Sequence, residues 1–284
     1  MTASGLLGSV IIPAHNEAAV IRRCLDALLD GVRPGELEVV VACNGCTDGT
    51  ADIVRSSGHA VRVVEIDVAS KHAALRAAEE FVSVFPRMYL DADVFLVAAS
   101  ARQVLESLLA GPPLAARPPI SYDTSRSSFL VRSYYRARIQ APSVMGSLWG
   151  AGVYGLSEVG RRRFGPFPDV TGEDLYVDQR FQRSEILMVG SAPVLVSVPR
   201  RAADLLKILR RSYQGKAETK DMQALAGPTT MSTVRDLAQA AMTQPGRALD
   251  VVAYFALAAL ARLTLAVAGP TRWERDDSSR EDPA

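Results

Sequence analysis

Cysteine is nearly absent from the chain. Only Cys24, Cys43 and Cys46 occur in 284 residues, an odd number too small for a disulfide framework and one that fits a reducing compartment. Histidine is as rare. His15, His59 and His72 form no spaced pair, and a zinc centre needs two ligands beyond those of Cys43-x-x-Cys46. Charge of one sign is missing too: the net charge of +1 excludes bulk electrostatic binding of nucleic acid. The apolar run at 5–12 is short, lacks a basic flank and passes straight into a strand-like pattern, so no signal peptide is expected. There is no internal repeat and no low-complexity tract. No G-x-G-x-x-G follows the first strand and no G-x-x-x-x-G-K-[ST] occurs, which disfavours a dinucleotide fold and a P-loop.

What is present is an ordinary globular composition, 48% apolar, in a length that allows one large domain or two small ones. Apolar runs of strand length at 9–12, 37–42, 60–66 and 88–93 alternate with helical spacing at 17–30, after Thr47-Asp48-Gly49-Thr50, at 71–85 and at 98–109. This alternation predicts an α/β fold with a mostly parallel, Rossmann-like sheet and helices on both faces. Strands apolar throughout agree with burial on both sides. Further on, strands are expected at 114–116 and 150–156, helices at 127–139 and 175–182, and a hairpin-like strand pair at 186–189 and 194–198 about Pro193. A basic stretch from Arg200 to Lys216 follows.

Ligands of such sheets bind at the carboxyl ends of the strands. That rule gathers 13–17, 43–48, 67–71 and 91–93 into one crevice. Asp91 and Asp93 are its chemical centre. Along an extended segment, residues two apart point the same way, and two carboxylates aimed at one point call for a cation. Mg²⁺ or Mn²⁺, held by one or two carboxylates plus substrate phosphates, suits them; the alternative is a plain turn, where Asp is common. Lys71, starting a helix beside this crevice, could face phosphate. His15 could touch a donor or be solvated, and Asp48 could cap a helix or touch the donor. Trp149 beside Gly150 could stack on an acceptor or pack in the core. Cys43-x-x-Cys46 between strand and helix also fits a thioredoxin-like redox motif. Glu173 and Asp174 open a helix, where the dipole favours acids in any case.

Six pieces, in order, resemble the family 2 glycosyltransferases of the GT-A fold: VIIPAHNEA (10–18), NGCTDGT (44–50), the Lys71 helix start, LDADV (90–94), GED (172–174) and RRSYQG (210–215). The resemblance spans roughly residues 9–216. It implies an inverting transfer of a sugar from a nucleotide diphosphate to an acceptor hydroxyl. Asp91 and Asp93 would hold metal and donor, and Asp174 would be the general base. Pro13, His15, Asn16, Glu17, Asn44, Asp48, Lys71, Arg210 and Arg211 would contact the donor, and Trp149, Gly150 and Glu173 the acceptor. Cys43-Asn44 stands where the family usually has an Asp pair that reads uracil, so guanosine and thymidine diphosphates stay open beside uridine. Tyr213 stands where the family often has Trp. The acceptor could be a glycan, a lipid or a small molecule, in cell-envelope polysaccharide or glycolipid synthesis. A nucleotidyltransferase acting on sugar phosphates and a non-catalytic nucleotide-sugar-binding module remain as alternatives.

Residues 1–216 are read as this domain and 217–284 as a helical extension. The apolar run 251–261 is too short to span a bilayer and is cut by Arg262, which fits an interfacial or self-docked helix better than a span. Peripheral membrane contact through 250–268 would place the chain in the cytoplasm at the inner membrane face. Residues 278–284 are expected to be disordered.

Overall fold

The computed structural model describes residues 5–219, 222 and 229–268; the tail at 278–284 lies outside them. The first half runs β1 (Gly8–Ala14), α1 (Ile21–Leu29), β2 (Leu37–Asn44), α2 (Thr50–Arg55), β3 (Val61–Ile66), α3 (Lys71–Glu79), β4 (Arg87–Leu90) and α4 (Ala98–Ala110). The second half adds β5 (Ala115–Arg117), β6 (Ile120–Asp123), α5 (Phe129–Arg138), α6 (Pro142–Met145), β7 (Val153–Leu156), α7 (Glu158–Arg161) and α8 (Glu173–Asp178). It ends with β8 (Ile186–Met188), β9 (Val194–Ser197), α9 (Ala202–Glu218), α10 (Thr230–Thr243) and α11 (Ala248–Ala268).

Seven strands form one sheet in the order β3-β2-β1-β4-β7-β5-β8. Only β7 runs antiparallel to its neighbours β4 and β5. Strand alternation divides the core in two. Val10 and Ile12 of β1, Val39 and Val41 of β2, and Met88 and Leu90 of β4 pack with residues of α1 and α4. Ile11, Val40, Ala42 and Tyr89 belong to the opposite face, with Ala74, Leu75 and Ala78 of α3 and Phe164, Phe167 and Phe181. Covered faces explain why these strands read as apolar throughout. Each fully buried Ile or Leu, such as Ile11, Ile12 or Leu25, contributes about 1.5–3 kcal/mol.

Two helices and a pair of strands differ from expectation here. Helix α1 begins at Ile21 because the preceding amides are committed elsewhere: Glu17 N donates to Thr50 Oγ1 (2.8 Å) and Ala18 N to Asp48 Oδ2 (3.1 Å). Helix α3 stops at Glu79, since Ser83 N donates to Glu38 Oε2 (2.7 Å) and the residue before Pro86 disfavours helix. The pair at 186–189 and 194–198 is not a hairpin. β8 runs parallel to β5, and β9 runs parallel to β6 in a separate two-stranded sheet. Val189 N donates to Arg117 O (3.0 Å) and Val194 N to Pro119 O (2.8 Å). The two pairs therefore form one ribbon interrupted at Pro118-Pro119, which lack the N–H that a ladder needs.

The C-terminal helix is docked on the domain. Val251, Tyr254, Leu257 and Ala261 join Val131 and Tyr134 of α5 and Leu205 and Leu209 of α9 in a third buried cluster. Tyr134 and Tyr254 stack with ring centroids 4.7 Å apart, and Arg136 grips both oxygens of Asp250 (2.9 and 2.7 Å). The outer side stays apolar: Val252 is 62% exposed, Leu263 63% and Val267 82%. Pro245–Val267 is long and apolar enough to cross a membrane by length and composition.

Candidate active site

The loops leaving β1, β2 and β3 are sewn to one another. Asn16 has a left-handed backbone (φ 53°), which Asn tolerates better than most residues, and its Oδ1 accepts from Thr47 N (2.8 Å). His15 Nδ1 donates to the Asn44 carbonyl (2.6 Å). Asn44 is buried, its amide oriented so that nitrogen donates to Ala14 O (2.8 Å) and oxygen accepts from Ser70 N (3.0 Å). Burial opposes the charge of Asp48, but hydrogen bonds from Thr50 and Ala18 outweigh it and hold the carboxyl below its usual range. Where the loops cross, a Cβ on Gly45 would meet Ala69 N at 2.8 Å. Asn44 and Asp48 thus bind backbone and build the rim. Glu17 is buried in the same rim. Burial, with Cys46 and Glu65 adding, pushes the Cys43 thiol up to about 12, the opposite of what a redox pair needs.

The acidic centre lies deeper. Pro13, Lys71, Asp91, Gly152, Tyr154, Glu173 and Asp174 line one cleft at the carboxyl edge of the sheet. Lys71 enters from the first turn of α3, whose N-cap Ser70 Oγ accepts from Ala73 N (3.2 Å). Its ammonium is 2.6 Å from Asp91 Oδ1 and 2.6 Å from Glu173 Oε1. Burial works against that charge, but Asp91, Glu173 and Asp174 outweigh it and hold Lys71 above its ordinary range. Burial pushes the carboxyl of Glu173 up, Asp174 and Asp91 adding to the rise and Lys71 opposing it. Asp174 is oriented by two backbone amides, Gly150 N to Oδ2 (2.9 Å) and Leu175 N to Oδ1 (2.8 Å). The floor is rigid: Tyr89 stacks on Tyr154 at 5.0 Å and donates to Glu79 Oε1 (2.6 Å), which Arg161 Nε also reaches (2.6 Å).

The segment 91–93 is not extended, contrary to the sequence reading. β4 ends at Leu90, opposite Val153, and Val94 N donates back to Asp91 O (3.1 Å), a turn that leaves Asp93 exposed. The two carboxylates still share a neighbourhood. Burial first, then Asp93 and Asp91, push the Cys24 thiol up to about 12. Asp91 N donates to Gly152 O (2.8 Å), and a Cβ on Gly152 would sit 3.3 Å from Asp91 Oδ2 and 2.4 Å from Val94 Cγ2. Glycine at this positive φ of 65° keeps that oxygen open, so the pair fits a hard cation whose other ligands are phosphate oxygens. Among the described residues no three His, Cys, Asp or Glu cluster as a metal cage. Gly152→Ala is expected to cost about 1–3 kcal/mol and to weaken Mn²⁺ affinity, measured by thermal melting and metal titration; unchanged values in both would refute the reading of this glycine.

Arg210 and Arg211 lie on α9, half-buried and outside the lining of the cleft. That helix meets the site at Gly215, whose added Cβ would stand 2.0 Å from Thr171 O, just ahead of Glu173. Trp149 packs against the third cluster and touches two cations, Arg138 at 4.7 Å and Lys216 at 5.1 Å. Tyr154 escaped the sequence reading. Its hydroxyl is buried in the cleft without a hydrogen-bond partner. The available signal was its place two residues after Gly152, on the same side of an extended segment.

The fold and the cleft define the class, a GT-A-type α/β domain. Two solved structures have this fold: a mannosyltransferase from Pyrobaculum calidifontis in complex with GDP-mannose and Mn²⁺ (TM-score 0.61, 22% identity, 93% of this chain and 76% of that one), and the glucosyl-3-phosphoglycerate synthase of Mycobacterium tuberculosis with Mn²⁺, UDP and glucosyl-3-phosphoglycerate (TM-score 0.53, 22% identity, 74% and 77%). Residues 9–145 match the model of glycosyl transferase family 2, and the chain carries a family 2 glycosyltransferase domain. A glycosyltransferase of Haloferax volcanii, AglE, is 38% identical over 79 residues, a match spanning 28% of this chain and 26% of that protein.

Proposed function

We propose that the chain transfers a glycosyl group from a nucleoside diphosphate sugar to an acceptor hydroxyl, inverting the anomeric centre. The observation that carries this reading is the convergence of Asp91, Lys71, Glu173 and Asp174 on one cleft. The Mn²⁺ and nucleotide complexes of the two relatives support a donor of this class with Mn²⁺ or Mg²⁺. Asp91 and Asp93 would hold the ion, which when bound neutralises charge developing on the leaving diphosphate. Lys71, paired with Asp91 and Glu173 in the cleft, would meet phosphate oxygens of the donor. Asp174 takes the proton of the acceptor hydroxyl as that oxygen attacks the anomeric carbon and the bond to diphosphate breaks. One displacement from the far side gives inversion. The rim formed by 13–17 and 44–48 frames the base and ribose. The apolar outer side of α11 supports work at the inner face of the cytoplasmic membrane, with residues 217–284 as an accessory extension, on acceptors of cell-envelope polysaccharide or glycolipid synthesis.

Thermal melting with nucleoside diphosphates tests the reading. At a ligand concentration near a hundred times its Kd, stabilisation is about 2.7 kcal/mol, or about 5–11 °C in a chain of this size. UDP or GDP with Mn²⁺ is expected to give that shift. No shift with any nucleoside diphosphate and Mn²⁺, or the same shift with chelator present, would sink it.

A further inference from the structure

Next to Asp174 lies a group of positive charges outside the lining of the cleft. Arg138, the last residue of α5, is buried, and its Nε donates only to the neutral Tyr122 hydroxyl (2.9 Å). Its guanidinium and the Lys216 ammonium both contact the Trp149 ring. Arg262 of α11 lies 4.6 Å from the ring of Tyr213, one turn before Lys216 on α9. Among the described residues no carboxylate forms an ion pair with Arg138, Lys216 or Arg262. Asp178, the acid that faces Lys216, has both oxygens engaged by Arg183. The indole Nε1 of Trp149 is buried with no hydrogen-bond partner. Arg138 is buried, Lys216 half-buried and Arg262 exposed; like charges held together with the first two shielded from water are costly unless an anion joins them.

The same backbone segment ties these cations to the base. Gly150 N donates to Asp174 Oδ2 (2.9 Å), and a Cβ on Gly150 would stand 3.2 Å from Arg138 Nη2. Resting on the reading of Asp174 as the base, we infer that the acceptor carries a phosphate group, seated on Arg138, Lys216 and the Trp149 N–H, with its reacting hydroxyl turned toward Asp174. Guanidinium, ammonium and N–H donors match phosphate oxygens. Burial, then the charges of Arg138 and Arg262, with only Asp178 opposing, bring Lys216 down to about 8. Phosphate affinity therefore holds below pH 8 and falls as pH rises through it, because the ammonium loses its proton.

The full chain has two tryptophans, Trp149 and Trp273, so Trp273→Phe leaves Trp149 as sole reporter. In that background, emission is followed during titration with inorganic phosphate, with glycerol 1-phosphate, and with phosphatidylcholine vesicles containing phosphatidic acid against phosphatidylcholine alone. A saturable change is expected, with affinity reduced tenfold or more by Lys216→Gln and retained by Lys216→Arg. Lys216 has no ion pair among the described residues, so its variants carry the test if Arg138→Gln fails to fold. Response to soluble phosphates supports a small phosphorylated acceptor, and response to phosphatidic acid alone supports a lipid phosphate. No saturable change, or one untouched by Lys216→Gln, overturns the inference. So does a response lost in the double variant Asp91→Asn, Asp93→Asn, which assigns the signal to the donor cleft. The readout needs neither metal nor nucleotide, so phosphate binding without donor binding fails only the reading of the donor site, and the reverse fails only this one.

Discussion

Asp174→Asn is expected to slow sugar transfer by about 10²–10⁴-fold, the contribution of a positioned general base, while donor affinity stays near that of the parent. The geometry makes the substitution informative. The carboxylate is presented to the cleft by two backbone amides, one on each oxygen. Asparagine can accept from only one of them, because its other terminal atom is itself a donor. One amide therefore loses its partner, at about 1–3 kcal/mol if it stays dry. A melting curve run beside the rate measurement separates that structural loss from the chemical one. Donor binding is read instead through Asp91 and its partner Lys71. Equal loss of transfer and donor binding would refute the role of base.

Asp93→Ala is expected to remove metal-dependent donor binding. Partners one shell away from a metal cost roughly 10–100-fold in affinity when lost, and a direct ligand should cost no less. Asp93 is the cleaner target of the pair. It is exposed, and Asp91 is the residue that pairs with Lys71, so that removing Asp91 would also disturb an ammonium shared with Glu173 and facing Asp174. Calorimetry with UDP or GDP and Mn²⁺, with and without chelator, provides the check. Donor binding that survives in Asp93→Ala, or in the parent protein with chelator, counts against the metal site.

The sheet was legible in the sequence because its strands are buried on both faces. Continuous apolar runs such as 37–42 carry that signal strongly, and the helices between them fix a parallel order. The carboxyl-edge rule then located Asp91 and Lys71 in one crevice without reference to any contact, whereas Asp174 came only from the family resemblance. Partnerships across the chain were not legible. Lys71 and Glu173 lie a hundred residues apart and nothing local announces their ion pair. Asn44 was read as a group facing a ligand and is bonded to backbone, since a polar side chain in a loop does not reveal which donor it will meet; Asp48, read as a helix cap or a donor contact, accepts from Thr50 N at the start of α2. The extended reading of 91–93 failed because pairing with β7 stops one residue before Asp91. The two late strands looked like a hairpin because a proline between apolar runs signals a reversal; here each run aligns with a strand more than 70 residues earlier. Lys216 stood in the sequence only as the end of a basic stretch, and α9 brings it against Trp149.

Arg262 gives the docked tail an electrical reach. From α11 it leans on Tyr213 and presses on Lys216 through space. Anything that lifts the tail from its seat, whether detergent, bilayer or truncation, withdraws one positive charge from the ammonium's surroundings and lets it hold its proton to higher pH. The last helix described in the chain would then act as a remote adjustment of the alkalinity at which the acceptor side loses its grip.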